Sequence, residues 1–145
     1  MVNRSLAPLS VLVGEWRVEL SNAEFLEPGA SMFGSMSVTW LDDAFLVRRT
    51  ATEAEGPPTS VCVIGRNEDR DDYELLYADD RGVSRIYRMT FADGVWIQHR
   101  EDPGFHQRFE GRVEPGGDRI SAEWSKSHDD GATWQHDFDL TYSLR

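Results

Sequence analysis

At 145 residues the chain has the length of one domain with one hydrophobic core. Its 39% hydrophobic and 28% charged residues exclude a disordered tail. The 26 acidic against 15 basic residues give a net charge of -11, whose field repels phosphate backbones and anionic lipid, so neither nucleic acid nor membrane is an expected partner.

In chain order, the first segment, Met1 to Val13, reads as no signal peptide, because Pro8 and Ser10 break a short apolar run. Ser5 to Val13 carries Leu6, Leu9, Leu12 and Val13 at near-helical spacing, with Ser5 placed to cap and Pro8 in the first turn. This predicts a short helix plugging one end of the fold. From Gly14 onward the pattern changes to alternation, the mark of half-buried antiparallel strands. Strands are expected over Gly14 to Leu20, Ser31 to Leu41, Phe45 to Thr52, Ser60 to Arg66 and Tyr73 to Ala78. Five more follow over Val83 to Phe91, Val95 to Arg100, Phe105 to Val113, Arg119 to Ser125 and Thr133 to Leu144. Asp80-Arg81-Gly82, Asp93-Gly94, Pro115-Gly116-Gly117 and Asp130-Gly131 supply the positive-φ positions of tight hairpins.

An all-β, roughly ten-stranded antiparallel up-and-down barrel of a single domain, residues 1–145, follows, since closure is how such a meander removes its edges. A Greek-key sandwich would need a long connection, and none occurs after Pro58. The long loop, Ser21 to Ala30, holds Phe25 and Leu26, an apolar pair suited to capping a barrel mouth. Nowhere do about 18 apolar residues run together. Cys62, the sole cysteine, lies in the apolar run Val61 to Ile64 and reads as a buried thiol. With no internal disulfide available, a reducing cytoplasm is the expected compartment.

Gly14-Glu15-Trp16, opening the first strand after a short helix, resembles the Gly-x-Trp of the lipocalin and calycin superfamily. The run Trp96 to Arg108 with Pro103-Gly104-Phe105, and the ending Trp134 to Tyr142, resemble small bacterial lipocalin-like or haem-binding-like barrels of uncharacterised function. The resemblance implies that Gly14 and Trp16 form the closed floor of the barrel. Wider relatives include the nitrobindins, ten-stranded barrels that bind haem through one His on the last strand. Here Arg17-Val18-Glu19-Leu20 follows the Trp, without the further glycines of nitrobindins.

With Trp16 inward, alternation assigns Val18 and Leu20 to the interior, and on the last strand Trp134, His136, Phe138, Leu140, Tyr142 and Leu144, leaving Asp137 and Asp139 in solvent. The same reading puts Met32, Met36, Val38 and Trp40 together on the second strand and Phe45, Val47 and Arg49 on the third. It gives Val83, Arg85, Tyr87, Met89 and Phe91 on the sixth, then Val95, Ile97, His99 and Phe105, Gln107, Phe109 on the next two. The candidate ligand-binding set is therefore Arg85, Tyr87, Tyr77, His136, His99, Arg49, Trp40 and Gln107. Arg85 and Tyr87, two apart, share a face and can reach one anion, in the manner of the Arg-x-Tyr of fatty-acid-binding proteins.

The expected function is binding of a small apolar or amphiphilic molecule, anionic in one version, with no cofactor and no metal. Three alternatives stand beside it. One is haem held by His136 or His99. Another is a cofactor-free enzyme with one of those histidines as general base beside Arg85 or Arg49. The last is a barrel filled by its own side chains. No histidine is expected to lie beside acidic residues at metal-ligand spacing. Ser127-x-Asp129-x-Gly131-x-x-Trp134 matches the Asp-box pattern and reads as a structural turn with the Trp packed beneath. Glu68 to Asp72 and Asp79 to Asp80 read as solvated hairpin ends. Trp96 or Trp124 on the outer wall would offer a homodimer face.

Overall fold

All ten expected strands form, with ends shifted by one or two residues at most. The computed structural model describes residues 2–53 and 57–145. Its strands are β1 (Gly14–Ser21), β2 (Ser31–Leu41), β3 (Phe45–Thr52), β4 (Ser60–Arg66), β5 (Tyr73–Asp79), β6 (Ser84–Ala92), β7 (Val95–Asp102), β8 (Phe105–Val113), β9 (Arg119–Ser127) and β10 (Gln135–Leu144). Each pairs antiparallel with its neighbours in sequence, and β10 pairs with β1, from Trp16 opposite Leu144 to Ser21 opposite Asp139, closing the barrel. No helix among the described residues is long and apolar enough to cross a membrane.

Local turn chemistry sets this order. Asp93 and Gly94 both have positive φ, 52° and 74°, the backbone of a two-residue hairpin whose twist matches the flanking strands. Between β2 and β3, Asp42 and Asp43 take φ 53° each, a left-handed pair without glycine.

The N-terminal segment is a 3₁₀ helix, Arg4–Leu12, and this geometry explains its leucines: at three residues per turn, Leu6, Leu9 and Leu12 stand on one side, and all are buried. Asn3, and not Ser5, caps it, its side-chain oxygen accepting the Ser5 N–H at 2.9 Å. The helix closes the barrel end at which β1 starts. There the buried Trp16 indole N–H donates to the Leu12 carbonyl at 2.9 Å, tying plug to wall. Met36, Val38, Leu46, Ile64, Leu75, Met89, Trp96, Phe109 and Ile120 fill the adjoining half of the barrel.

At the other end the Asp-box residues form a turn. The Ser127 hydroxyl accepts the Gly131 N–H at 2.9 Å and donates to Asp129 at 2.7 Å. Asp129 in turn accepts from the Thr133 hydroxyl at 2.5 Å and its N–H at 2.8 Å. Trp134 does not pack beneath: it is 44% exposed, beside the His106 ring. Loop 22–30 differs from expectation likewise, since Phe25 is 59% exposed and, of the Phe25-Leu26 pair, Leu26 alone packs on the core, beside the buried Ala23. Trp96 is buried and Trp124 faces inward, so the large apolar side chains exposed on the strands are Leu41, Val61, Leu76, Ile86 and Leu144.

Truncating Trp16 removes both a fully buried ring and the bond to the plug, so Trp16→Ala should cost about 3–5 kcal/mol in urea unfolding, with Trp16→Phe recovering most of it. The Thr133 hydroxyl and N–H, with Ser127, hold Asp129 down at about 2, below the usual 3.8. A depressed carboxylate stabilises above its unfolded pKa, and that stabilisation is lost as pH falls through the folded value. The melting temperature of Asp129→Asn should therefore lie below that of wild type at neutral pH, and the gap should close between about pH 4 and 2.

Candidate functional site

The half of the barrel away from the helix contains a cavity of about 280 Å³, near the lower end of small-molecule sites. Its apolar wall comes from Val18 and Leu20 of β1, Met32 of β2, Phe109 of β8, Trp124 of β9 and Phe138 and Leu140 of β10. Polar groups on the lining include Arg48, Thr50, Ser60, Tyr77, Arg85, Tyr87, Gln107, Asp137 and Tyr142, with Pro57, Pro58 and Arg81 also there.

Four of the sequence candidates meet here. Arg85 Nη1 lies 3.4 Å from the Tyr87 hydroxyl and 3.3 Å from Gln107 Oε1, and the Tyr87 hydroxyl donates to the same oxygen at 3.2 Å. Two donors thus share one neutral acceptor at long range, leaving most of the Arg85 fork free for another acceptor. Tyr77 packs edge-on against Tyr87, 6.1 Å between ring centres, and its hydroxyl donates to Asp79 at 2.7 Å. Asp79 is no solvated hairpin end: Arg81 covers it with a 2.7 Å ion pair, and that bond first, with Tyr77 and the turn amides, holds its carboxyl well below the usual range. Partial burial and the Asp79 partner push the Tyr77 phenol up, so it remains a neutral donor.

The other four stand elsewhere. Arg49 is exposed, because the register across the three-residue β2–β3 turn places Val38 opposite Arg48 and so turns Arg48 inward. On β7 the inward residues are Trp96 and Gln98, which puts His99 on the outer face between Arg88 and Arg108. Partial burial, then Arg88 and Arg108, lower its pKa against the pull of Glu101. Trp40 is partly buried at the closed end, opposite Leu46, away from the cavity. His136 is displaced by a β-bulge: the β9–β10 register slips between His136 and Phe138. The extra residue carries Asp137 to the cavity beside Phe138 and His136 to the outside.

That bulge also builds what the spacing did not reveal. On the outer face His136 Nε2 lies 2.8 Å from Asp139, whose other oxygen accepts from Asn22 at 2.6 Å, and Glu123 pairs across from Asp139. Burial works against the Asp139 charge, but the Asn22 and His136 bonds outweigh it and lower the pKa. Glu123, His136 and Asp139 can bring three ligand atoms within 4.8 Å of one another, the metal-capable group found among the described residues. None of the four histidines lines the cavity.

Sequence reasoning missed Arg48, Gln98 and the surroundings of Cys62. Arg48 Nη1 donates to Gln98 Oε1 at 2.9 Å and Nη2 to Cys62 Sγ at 3.3 Å, and the guanidinium lies 5.5 Å from the Trp96 ring centre. Burial opposes the Arg48 charge, yet Cys62, Tyr142 and Tyr87 more than offset it, so the group stays protonated. The only signal was the doublet Arg48-Arg49, one of which had to face in.

No family model matches the chain, and no curated protein sequence does. Among solved structures, the crystal structure of Rv2717c from M. tuberculosis is similar over 100% of this chain and 99% of that one, with a TM-score of 0.68 and 15% identity. At that identity the likeness speaks for the barrel fold alone.

Burial pushes the Tyr142 phenol up to about 12. A raised folded pKa stabilises below the unfolded value near 10 and that contribution fades as pH rises toward 12. Tyr142→Phe should therefore leave the 295 nm phenolate titration of the folded protein unchanged up to about pH 11, where ionisation of a free tyrosine is nearly complete.

Proposed function

We propose that the protein binds a small amphiphilic molecule, anionic at its polar end, inside a calycin-like barrel. The observation that carries this is the division of the cavity wall: an apolar side from β1, β2, β9 and β10 faces an Arg85-Tyr87-Gln107 cluster whose donors outnumber its acceptors. Apolar area supplies the affinity and the few polar groups fix orientation. The opening Gly14-Glu15-Trp16, with Trp16 at the closed end, supports the calycin likeness.

The reading includes no haem. A nitrobindin-like site needs an imidazole aimed into the barrel, and the residues present do not fit it, since His136 stands outside the wall and no other histidine lines the cavity. The same placement leaves the cavity without an imidazole base.

Titration with the anionic dye anilinonaphthalene sulfonate tests this. One dye per chain is expected, with its fluorescence enhanced. Leu140→Trp, which fills the cavity, should weaken binding by about tenfold or more, whereas His136→Ala should leave it unchanged. A dye that fails to bind, or binds Leu140→Trp as well as wild type, overturns the reading.

A further inference from the structure

We infer that the inner end of the cavity is a carboxylate subsite built on Arg48, so that the ligand is a carboxylic acid entering head first. The inference rests on the cavity-binding reading and names its ligand class.

Arg48 is 7% exposed and lines the cavity; Gln98, which reaches it from β7, is 0% exposed. A guanidinium has five N–H donors. Here two of them are used, by Gln98 Oε1 and Cys62 Sγ, and Nε has no partner. The Gln98 amide nitrogen is likewise buried without an acceptor. Buried donors in folded proteins are almost always satisfied, and a buried cation is normally paired. Among the described residues no carboxylate bonds Arg48.

The contrast with the surface sharpens this. Asp79 takes Arg81, Asp72 takes Arg70 and Arg88, Asp102 takes Arg100, and Glu110 takes Arg112. A chain rich in carboxylates spends them on arginines at the surface and leaves the most buried one without. What Arg48 lacks is an acceptor with one negative charge and oxygens that fit a planar fork, which is a carboxylate. Tyr142, on the same cavity wall, carries a hydroxyl held in its neutral, donating form by burial. Beyond this head site one side of the wall is apolar, at Leu20, Met32, Phe138 and Leu140, and suits an alkyl or aryl tail. The small volume limits that tail to medium length.

Calorimetric titration with octanoate and with octan-1-ol, its uncharged counterpart, decides the matter. Wild type should bind octanoate more tightly than octan-1-ol. Arg48→Met should lose about tenfold or more of octanoate affinity relative to octan-1-ol. Octanoate should raise the melting temperature of wild type and not of Arg48→Met. Should Arg48→Met fail to fold, [1-13C]octanoate bound to wild type still reads the site by NMR: its carboxyl should stay ionised about one pH unit or more below the free acid. A preference of wild type for octan-1-ol, an unchanged octanoate affinity in Arg48→Met, a loss seen in Arg85→Met instead, or an unshifted carboxyl overturns the subsite and leaves cavity binding standing. Binding of neither probe takes down both.

Discussion

The pairing of β1 with β10 turns a ten-strand meander into a tube, and most of the molecule's other properties are consequences of that closure. Once the ladder from Trp16–Leu144 to Ser21–Asp139 is made, no strand has a free edge and every residue has an inside or an outside. The inside must then be filled or left hollow. At one end the 3₁₀ helix sends Leu6, Leu9 and Leu12 into the tube and Trp16 locks to it. At the other end loop 22–30 contributes only Ala23 and Leu26 to the core and turns Phe25 outward. The cavity is the unfilled remainder.

Charge follows the same partition. The net -11 of the chain is carried outside, where carboxylates pair with arginines across and along strands at modest energetic gain. Inside, the cavity lining holds Arg48, Arg81 and Arg85 against one carboxylate, Asp137, which Lys126 approaches at 3.4 Å. An acidic protein thus encloses a cationic hollow, and the walls screen it far less than water screens the surface.

Much of this was legible from residues alone, and the failures have definite causes. Turns were readable because Asp93-Gly94 and Asp130-Gly131 carry their backbone geometry locally. The parity of β1, β6 and β8 was readable because one face is plainly apolar or aromatic. On β3 the alternation is blurred, since Leu46, Val47 and Arg48 are all buried, and only the register set by the Asp42-Asp43 turn decides between Arg48 and Arg49. On β7 polarity is inverted: Gln98 faces in while Ile97 stands between Thr90 and Glu110. The β10 bulge leaves no mark in composition, because it is a property of how β9 and β10 align.

The bulge has a consequence for how such barrels diverge. A strand that carries one extra residue presents opposite faces on its two sides, so everything before Asp137 is inverted relative to everything after Phe138. Loss of the Asp137 codon would restore strict alternation with His136 still opposite Ser125 on the outer wall, and would take the carboxylate of Asp137 out of the hollow while leaving the pairing on both sides in place. A lumen that sets one carboxylate among its arginines and a lumen that holds the arginines alone are therefore neighbours in sequence space, separated by one deletion and not by a redesigned pocket.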